Sequence, residues 1–594
     1  MLKLKPWADT LACNWANVSD AIILSNMDQC IPASALSEKL KRNHWKVFPY
    51  ETTDGIAGNI IWASIETHAP SVRLPLNVNG WYAIFIGLFN GTLTPCLAWL
   101  KLDSDVAAQA RRASRGPGYW NIEEAFFKAA EIKEGTHLEI SQQVDALSAS
   151  VWQGMNLGCG VAYVKLIPLT DDEIAGIQAD RSGRSNRRLA ATCDGSSYIA
   201  DYRPTTTDGI LREIELFKDT DVGTLLLHLG GSDHVGYLSK HGTAFGQAVD
   251  DYPDVGMRYH AEGIRAMKKA NINPTRVLID GAHSAGMKVH VGIRPALWSY
   301  YEPFADIYDS PFYMAHPEWR TVDRDGTPVS RMSWAAPEVR THLVEILREA
   351  VEFGADGAHI VFNRGFPLTL YEAPFVELFQ RQYGEDPRDI DESDPRITNL
   401  RSDIVTMFMQ ELRAMLDEEQ IRRDSAERLE ISVCVLSNEY DNLQYGVDLR
   451  RLVADGLLDK VYPTRYPGDF GAKQCTWDFQ FFMDICSPKN VPVIPIYTFA
   501  QCSDDERYTA YAPPGGFVSD VLSLYDQGAA GIGYWDVSYE YAPRVRLWTP
   551  MSRFGHIDEL KSQLGTKFSD PVFIPVHRLG AQIVDGRFPP YWGG

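Results

Sequence analysis

Gly354-Ala355-Asp356-Gly357-Ala358-His359-Ile360-Val361-Phe362-Asn363-Arg364-Gly365-Phe366-Pro367 is the stretch that decides the fold. Just upstream, Pro337 suits the first position of a helix and Glu338 its first turn. Val339, Leu343, Ile346, Leu347 and Ala350 then recur on one helical face, and Gly354 is placed to end that helix. Ile360-Val361-Phe362 is a brief apolar run, as a strand covered on both faces requires. Polar Asn363 and Arg364 follow at once. Helix, glycine turn, buried strand and polar strand end are the parts of a parallel α/β unit. In a closed barrel of such units the reactive groups stand where the strands end.

Working outward, the same alternation recurs. Strands are expected at Tyr198–Tyr202, Gly223–Leu229, Met287–Arg294, 357–363, Glu430–Leu436, Lys460–Pro463, Val491–Tyr497 and Gly531–Trp535. Helices are expected around 207–219, 258–270, 274–285, 401–419, 448–454 and 519–527. Eight strands over about 360 residues predict an α/β fold of the (β/α)8 TIM-barrel class. An open doubly wound sheet is the rival. It would carry a glycine-rich phosphate loop after its first strand, and Gly230-Gly231-Ser232-Asp233 lacks that spacing.

Residues 1–195 read differently. Trp45–Tyr50, Gly58–Ala63, Gly80–Leu88, His137–Ile140 and Gly160–Leu169 are aromatic and β-branched, bounded by Gly, Pro and Asn. They predict a β-rich, sandwich-like domain ahead of the barrel. A charged linker with Arg181, Arg184, Arg187 and Arg188 closes it. The expected division is 1–195 for this domain and linker, 196–560 for the barrel, and 561–594 for a tail packing on the barrel.

The chain has 594 residues, 45% hydrophobic and 23% charged, enough for a large core and more than one domain. Its net charge of −21 argues against nucleic-acid and anionic-membrane partners, which require a basic footprint. The nine cysteines are scattered without a CxxC pair, so no zinc or redox motif is read and no cofactor is expected. The first residues lack the apolar core of a signal peptide, and no apolar run is long enough for a membrane span. A cytoplasmic protein is the expectation, with a homo-oligomer left open.

The strand ends supply a candidate site. His228, Asp233 and Tyr237 follow strand two, and Arg294 and Trp298 strand three. Asn363, Arg364, Tyr371 and Glu372 follow strand four, and Asn438 and Glu439 strand five. Tyr466, Tyr497, Trp535 and Asp536 come from strands six to eight. Aromatic faces stack on sugar rings, and guanidinium forks hold anionic substituents, so an oligosaccharide is the expected partner, with Arg294 and Arg364 pointing to an acidic one. Glycoside cleavage needs one protonated and one ionised carboxyl. Glu439, after an apolar strand, is the expected acid, because half-burial raises a carboxyl pKa. Asp536 or Glu372 is the expected second carboxylate. Core packing is the reading for His283, His290 and His359, whose spacing matches no zinc motif.

Several segments resemble the family-10-like glycosyl-hydrolase barrels of bacteria, distant relatives of the α-amylase barrels. Ala282-His283-Ser284-Ala285-Gly286-Met287-Lys288-Val289-His290, His316-Pro317-Glu318-Trp319, Pro337-Glu338-Val339-Arg340 and Asp356-Gly357-Ala358-His359 carry the likeness, within residues 197–555. The resemblance implies a glycosidase barrel with Glu439 where the amylase-type acid/base sits and Arg364 as the arginine after strand four. It also implies a nucleophilic Asp at the end of strand four, where this chain has Val361. A glycoside hydrolase is therefore the leading expectation. A barrel that only binds sugar, and a lyase acting on sugar acids through His228 or a tyrosine, are the alternatives.

Overall fold

The structure, a computed structural model, describes residues 15–64, 67–90, 96–113, 120–142, 158–247, 251–252, 255–299, 305, 309–364, 366–465, 478–498, 515–537, 545–564 and 572–585. Eight parallel strands form a closed barrel: Leu189–Cys193, Val222–His228, Lys288–Ile293, Gly357–Val361, Glu430–Leu436, Lys460–Thr464, Ile496–Tyr497 and Gly533–Tyr534. Each pairs with the next, and the last pairs with the first. Alternation along the strands explains the near-continuous apolar runs. Leu226, Val361, Cys434, Tyr462 and Ile496 pack together inside the barrel. Leu225, Leu227, Ile360, Val433 and Val435 belong to the larger core shared with the helices.

The helix expected before strand four runs Pro337–Glu352 and buries Val339, Leu343, Ile346, Leu347 and Ala350. Gly354 follows with φ +116°, a left-handed backbone that glycine adopts without strain. Gly357 answers a different need. A Cβ there would lie 2.1 Å from the Glu430 carbonyl oxygen, so strands four and five approach too closely for any other residue.

Strand one is the main correction. Residues Ser197–Tyr202 form a helix, and the first barrel strand is Leu189–Cys193, nine residues earlier than expected at its start. The Asp194 carboxylate accepts from the Ser196 and Ser197 amides at 3.1 and 2.9 Å, which turns the chain there into helix. Tyr198 and Ile199 are buried, so the apolar residues that suggest a strand serve a helix face instead. The barrel thus begins inside the segment assigned to the linker.

The N-terminal region holds two sheets. Among the described residues the larger has nine strands, with Trp45–Thr52, Ala57–Ser64, Gly158–Pro168, Gly80–Asn90 and Asn121–Ile132 in neighbouring order. The smaller has Val72–Pro75, His137–Ser141, Leu97–Leu102 and Gln109–Arg112. Ile61, Ile84, Ile86 and Val161 of the first share a core with Leu74, Leu100, Leu102 and Ile140 of the second. The tail starts in helix Ile557–Gln563, where Lys561 meets Asp526 of a barrel helix at 3.7 Å, but its described strand lies in the larger sheet. Phe573–Leu579 pairs with Asn121–Glu123 through its first half and with Tyr50–Thr52 through its second, linking two ends of the larger sheet. Its buried Ile574 and Val576 pack with Tyr50, Ile60 and Ile122.

Candidate active site

Strand register brings the strand ends to one rim. His228 lies opposite Gly292, Val361 opposite Cys434, Leu436 opposite Thr464, and Tyr497 opposite Tyr534. The residues immediately beyond are Asp194, Arg294, Asn363, Arg364, Asn438, Arg465 and Asp536.

His228 forms the floor. It is fully buried, its ring lies parallel to that of His359 with centroids 5.8 Å apart, and Trp535 is 5.4 Å away. Burial drives its pKa well below the usual imidazole value, and His359, Arg294 and Arg364 add to the effect. His228 is therefore a neutral imidazole, and among the described residues neither ring nitrogen has a hydrogen-bond partner. A buried polar group in that condition costs about 1–3 kcal/mol. Beneath it, His359 Nδ1 and His290 Nδ1 lie 2.9 and 2.8 Å from the Ser432 hydroxyl. His290 Nε2 lies 3.0 Å from Glu430, which Lys288 also meets at 3.1 Å. His290 and His359 are thus interior residues with polar partners.

Asp536 ends strand eight in a left-handed conformation, φ +50°. Its amide donates to Thr192 Oγ1 at 2.8 Å, and that hydroxyl lies 3.4 Å from Asp536 Oδ1. A non-glycine residue in that region stores strain of about 1–3 kcal/mol, often at a working site. The carboxylate is part-exposed, as are Arg294 and Arg364. Asp194 stands on the neighbouring strand. The buried Cys193 thiol, next to Asp194 in the chain, faces Glu213 at 3.9 Å: burial first, then Glu213, Asp194 and Asp536, push its pKa well above the usual thiol value.

The other expected site residues have different surroundings. Glu439 is part-exposed and already ion-paired. It opens a short helix, and Arg450 of the outer helix Leu449–Ala454 grips both its oxygens, at 2.5 and 3.0 Å. Glu372 is no lid residue. It is 2% exposed, accepts from the Ser333 hydroxyl and the Leu370 amide, and precedes helix Ala373–Tyr383. Burial raises its pKa, with those bonds opposing. Asp233 is buried against His342 at 2.9 Å. The buried Tyr237 hydroxyl donates to Glu349 at 3.3 Å, on the flank helix rather than the rim. Trp298 is fully buried and stacks on Phe312, 5.6 Å between centroids. Tyr371 accepts from Arg324 at 2.9 Å. Asn438 caps the helix of Glu439, accepting from the Asp441 amide at 2.9 Å. Tyr497, at the end of strand seven, donates to Asp520 at 2.7 Å. Asn363 is buried in the short turn Phe362–Arg364. Tyr466 lies outside the described residues. The structure therefore gathers His228, Arg294, Asn363, Arg364, Trp535 and Asp536 and leaves most of the rest as framework.

Asp194 and Thr192 escape the sequence reading because strand one is placed late there. The run Leu189-Ala190-Ala191-Thr192-Cys193 followed by Asp194-Gly195 was the available signal, muted by its small alanines. Among the described residues no group of three His, Cys, Asp or Glu side chains is placed to hold a metal ion, and no helix is long and apolar enough to cross a membrane.

No protein-family model and no curated protein matches the chain in sequence. Among solved structures it is similar to α-L-fucosidase isoenzyme 2 from Paenibacillus thiaminolyticus, with TM-score 0.39 and 12% identity over 64% of this chain and 50% of that one. It is also similar to the PgaB glycoside hydrolase domain from Bordetella bronchiseptica, with TM-score 0.39 and 14% identity over 64% and 98%. The catalytic domain of β-amylase from Paenibacillus polymyxa gives TM-score 0.38 and 11% identity over 63% and 99%. The barrel itself is established by its own closed strand pairing.

Proposed function

We propose that this protein is a glycoside hydrolase acting on an anionic saccharide at the C-terminal rim of its barrel. The observation that carries the reading is that Arg294, Arg364 and Trp535 surround the buried His228, with Asp536 next after Trp535 at the end of strand eight. In this reading the two guanidinium groups hold a carboxylate or sulfate of the sugar, where planar forks give bidentate bonds. Asp536 is the ionised carboxylate, serving as base toward water or as nucleophile. Glu439 is the proton donor, once substrate displaces Arg450 from it. The segments that resemble family-10-like barrels support the same reading, with Asp536 taking over from the strand-four position that Val361 occupies.

The test is hydrolysis of a panel of carboxylated, sulfated and neutral oligosaccharides by wild type, Asp536→Asn and Glu439→Gln. Loss of either group should lower kcat by about 10²–10⁴-fold. Arg294→Met and Arg364→Met should raise KM for anionic substrates and leave neutral ones unchanged. Full activity in Asp536→Asn would sink the proposal.

A second reading, a barrel that binds saccharide without cleaving it, draws support from the Arg450 grip on Glu439 and from Val361. It predicts calorimetric binding with no product formed, undiminished in Glu439→Gln.

A further inference from the structure

Between the N-terminal sheets and the barrel flank lies a cavity of about 200 Å³. Lys218 and Thr220, which line it, lead into the start of strand two, so it sits toward the N-terminal end of the barrel, away from the rim. A cavity of roughly 150 Å³ accommodates benzene, so this one has room for a ring and a short side arm. Trp99, Phe127 and Trp548 supply aromatic walls. Arg212 lies over Trp99 at 4.8 Å and Arg111 over Phe127 at 5.4 Å. The lining carries six cationic side chains against three carboxylates, the reverse of a chain whose net charge is −21.

Arg111 is the decisive residue. Its guanidinium donates to the carbonyls of Phe126 at 3.0 Å, Ala110 at 2.8 Å and Phe127 at 2.7 Å, and to Gln109 Oε1 at 3.0 Å. All four acceptors are neutral. Asp105, the carboxylate acting on it from a distance, is hydrogen-bonded by Lys128 at 2.8 Å. Among the described residues no carboxylate forms an ion pair with Arg111. Burial lowers its pKa to about 10, the mark of a cation short of counter-charge. The side chain is part-buried, and a cation withdrawn from water is ordinarily paired. A guanidinium has five N–H donors, so the four bonds leave one on Nη1.

We propose that this cavity binds a small amphiphilic anion, an aromatic or apolar body bearing one carboxylate, with that carboxylate on Arg111 and the body among Trp99, Phe127 and Trp548. The site is independent of the saccharide reading and joins the two units. Gln109 on one side already donates to the Glu215 carbonyl on the other at 3.1 Å.

The test is isothermal calorimetry on the full chain with 4-phenylbutyrate and its neutral counterpart 4-phenylbutan-1-ol. Wild type should bind the acid with one-to-one stoichiometry, at least tenfold more tightly than the alcohol. Arg111→Met should weaken the acid at least tenfold and leave the alcohol unchanged. Thr549→Trp, which fills the cavity from the barrel side, should abolish both while the unliganded melting temperature is kept, and it decides alone if Arg111→Met does not fold. Equal affinity for acid and alcohol, no binding of either, or undiminished binding in a folded variant would overturn the proposal.

Discussion

His228 is a buried imidazole beside two arginines, and among the described residues neither of its nitrogens has a hydrogen-bond partner. Its pH effect has a definite sign. With the folded pKa depressed, the unfolded chain takes up a proton as pH falls through about 6.5 while the folded chain does not. His228 therefore costs stability below that pH, at a limiting slope of about 1.4 kcal/mol per pH unit. In His228→Leu, urea midpoints at pH 7 and pH 5 should differ less than in wild type, and a steeper dependence would refute the assignment. At pH 7 the variant should lie within about 1 kcal/mol of wild type, since the orphaned polar atoms leave with the ring. Asp536 offers the converse experiment. Asp536→Gly relieves a left-handed backbone and should raise stability by about 1 kcal/mol while removing turnover, read from melting and hydrolysis on one preparation.

Helix Asp171–Ser182 starts with a capping box, Thr170 against Glu173, and ends beside an interdomain charge cluster. His556 sits between Asp180 and Asp221, at 2.7 Å from each. Against burial, which lowers it, those two hydrogen bonds raise its pKa to about 9. A raised basic group stabilises fully below its unfolded value near 6.5, and the contribution disappears as pH rises through about 9. His556→Gln should therefore cost about 3 kcal/mol at pH 6 and much less at pH 9.5. Equal losses at both values, measured by urea unfolding, would show that packing rather than charge is at stake. The elements themselves were largely legible. Helix Pro337–Glu352 and strand Gly357–Val361 follow from periodicity, an N1 proline and a terminal glycine, all of them local signals. Strand one was not, because Ala190 and Ala191 carry little strand signature and Tyr198-Ile199 imitates it.

For the molecule as a whole, the notable connection is the return of Phe573–Leu579 to strands near residues 50 and 122. Ending the chain at residue 571 removes that strand, bares ladder groups on both of its neighbours, and uncovers Tyr50, Ile60 and Ile122. The shortened chain should melt at lower temperature and elute partly as aggregates in size-exclusion chromatography. Unchanged behaviour in both would show that the sheet does not depend on its final strand. The charge cluster at His556 and the cavity at Arg111 lie along the same seam, so changes at either should alter the melting of the assembled chain rather than of one unit.

The sequence by itself determined the alternation of helix and strand, the barrel class that eight such units imply, and the rim positions of Arg294, Arg364, Trp535 and Asp536. These follow from patterns within some twenty residues, and periodicity reports which face is buried. It does not report what buries it. That Glu439 is held by Arg450, Tyr237 by Glu349 and Glu372 by Ser333 was decided only by tertiary proximity, as was the pairing of residue 576 with residue 52. A carboxylate takes its role from the donor that reaches it, and the donor is chosen by the packing of distant elements.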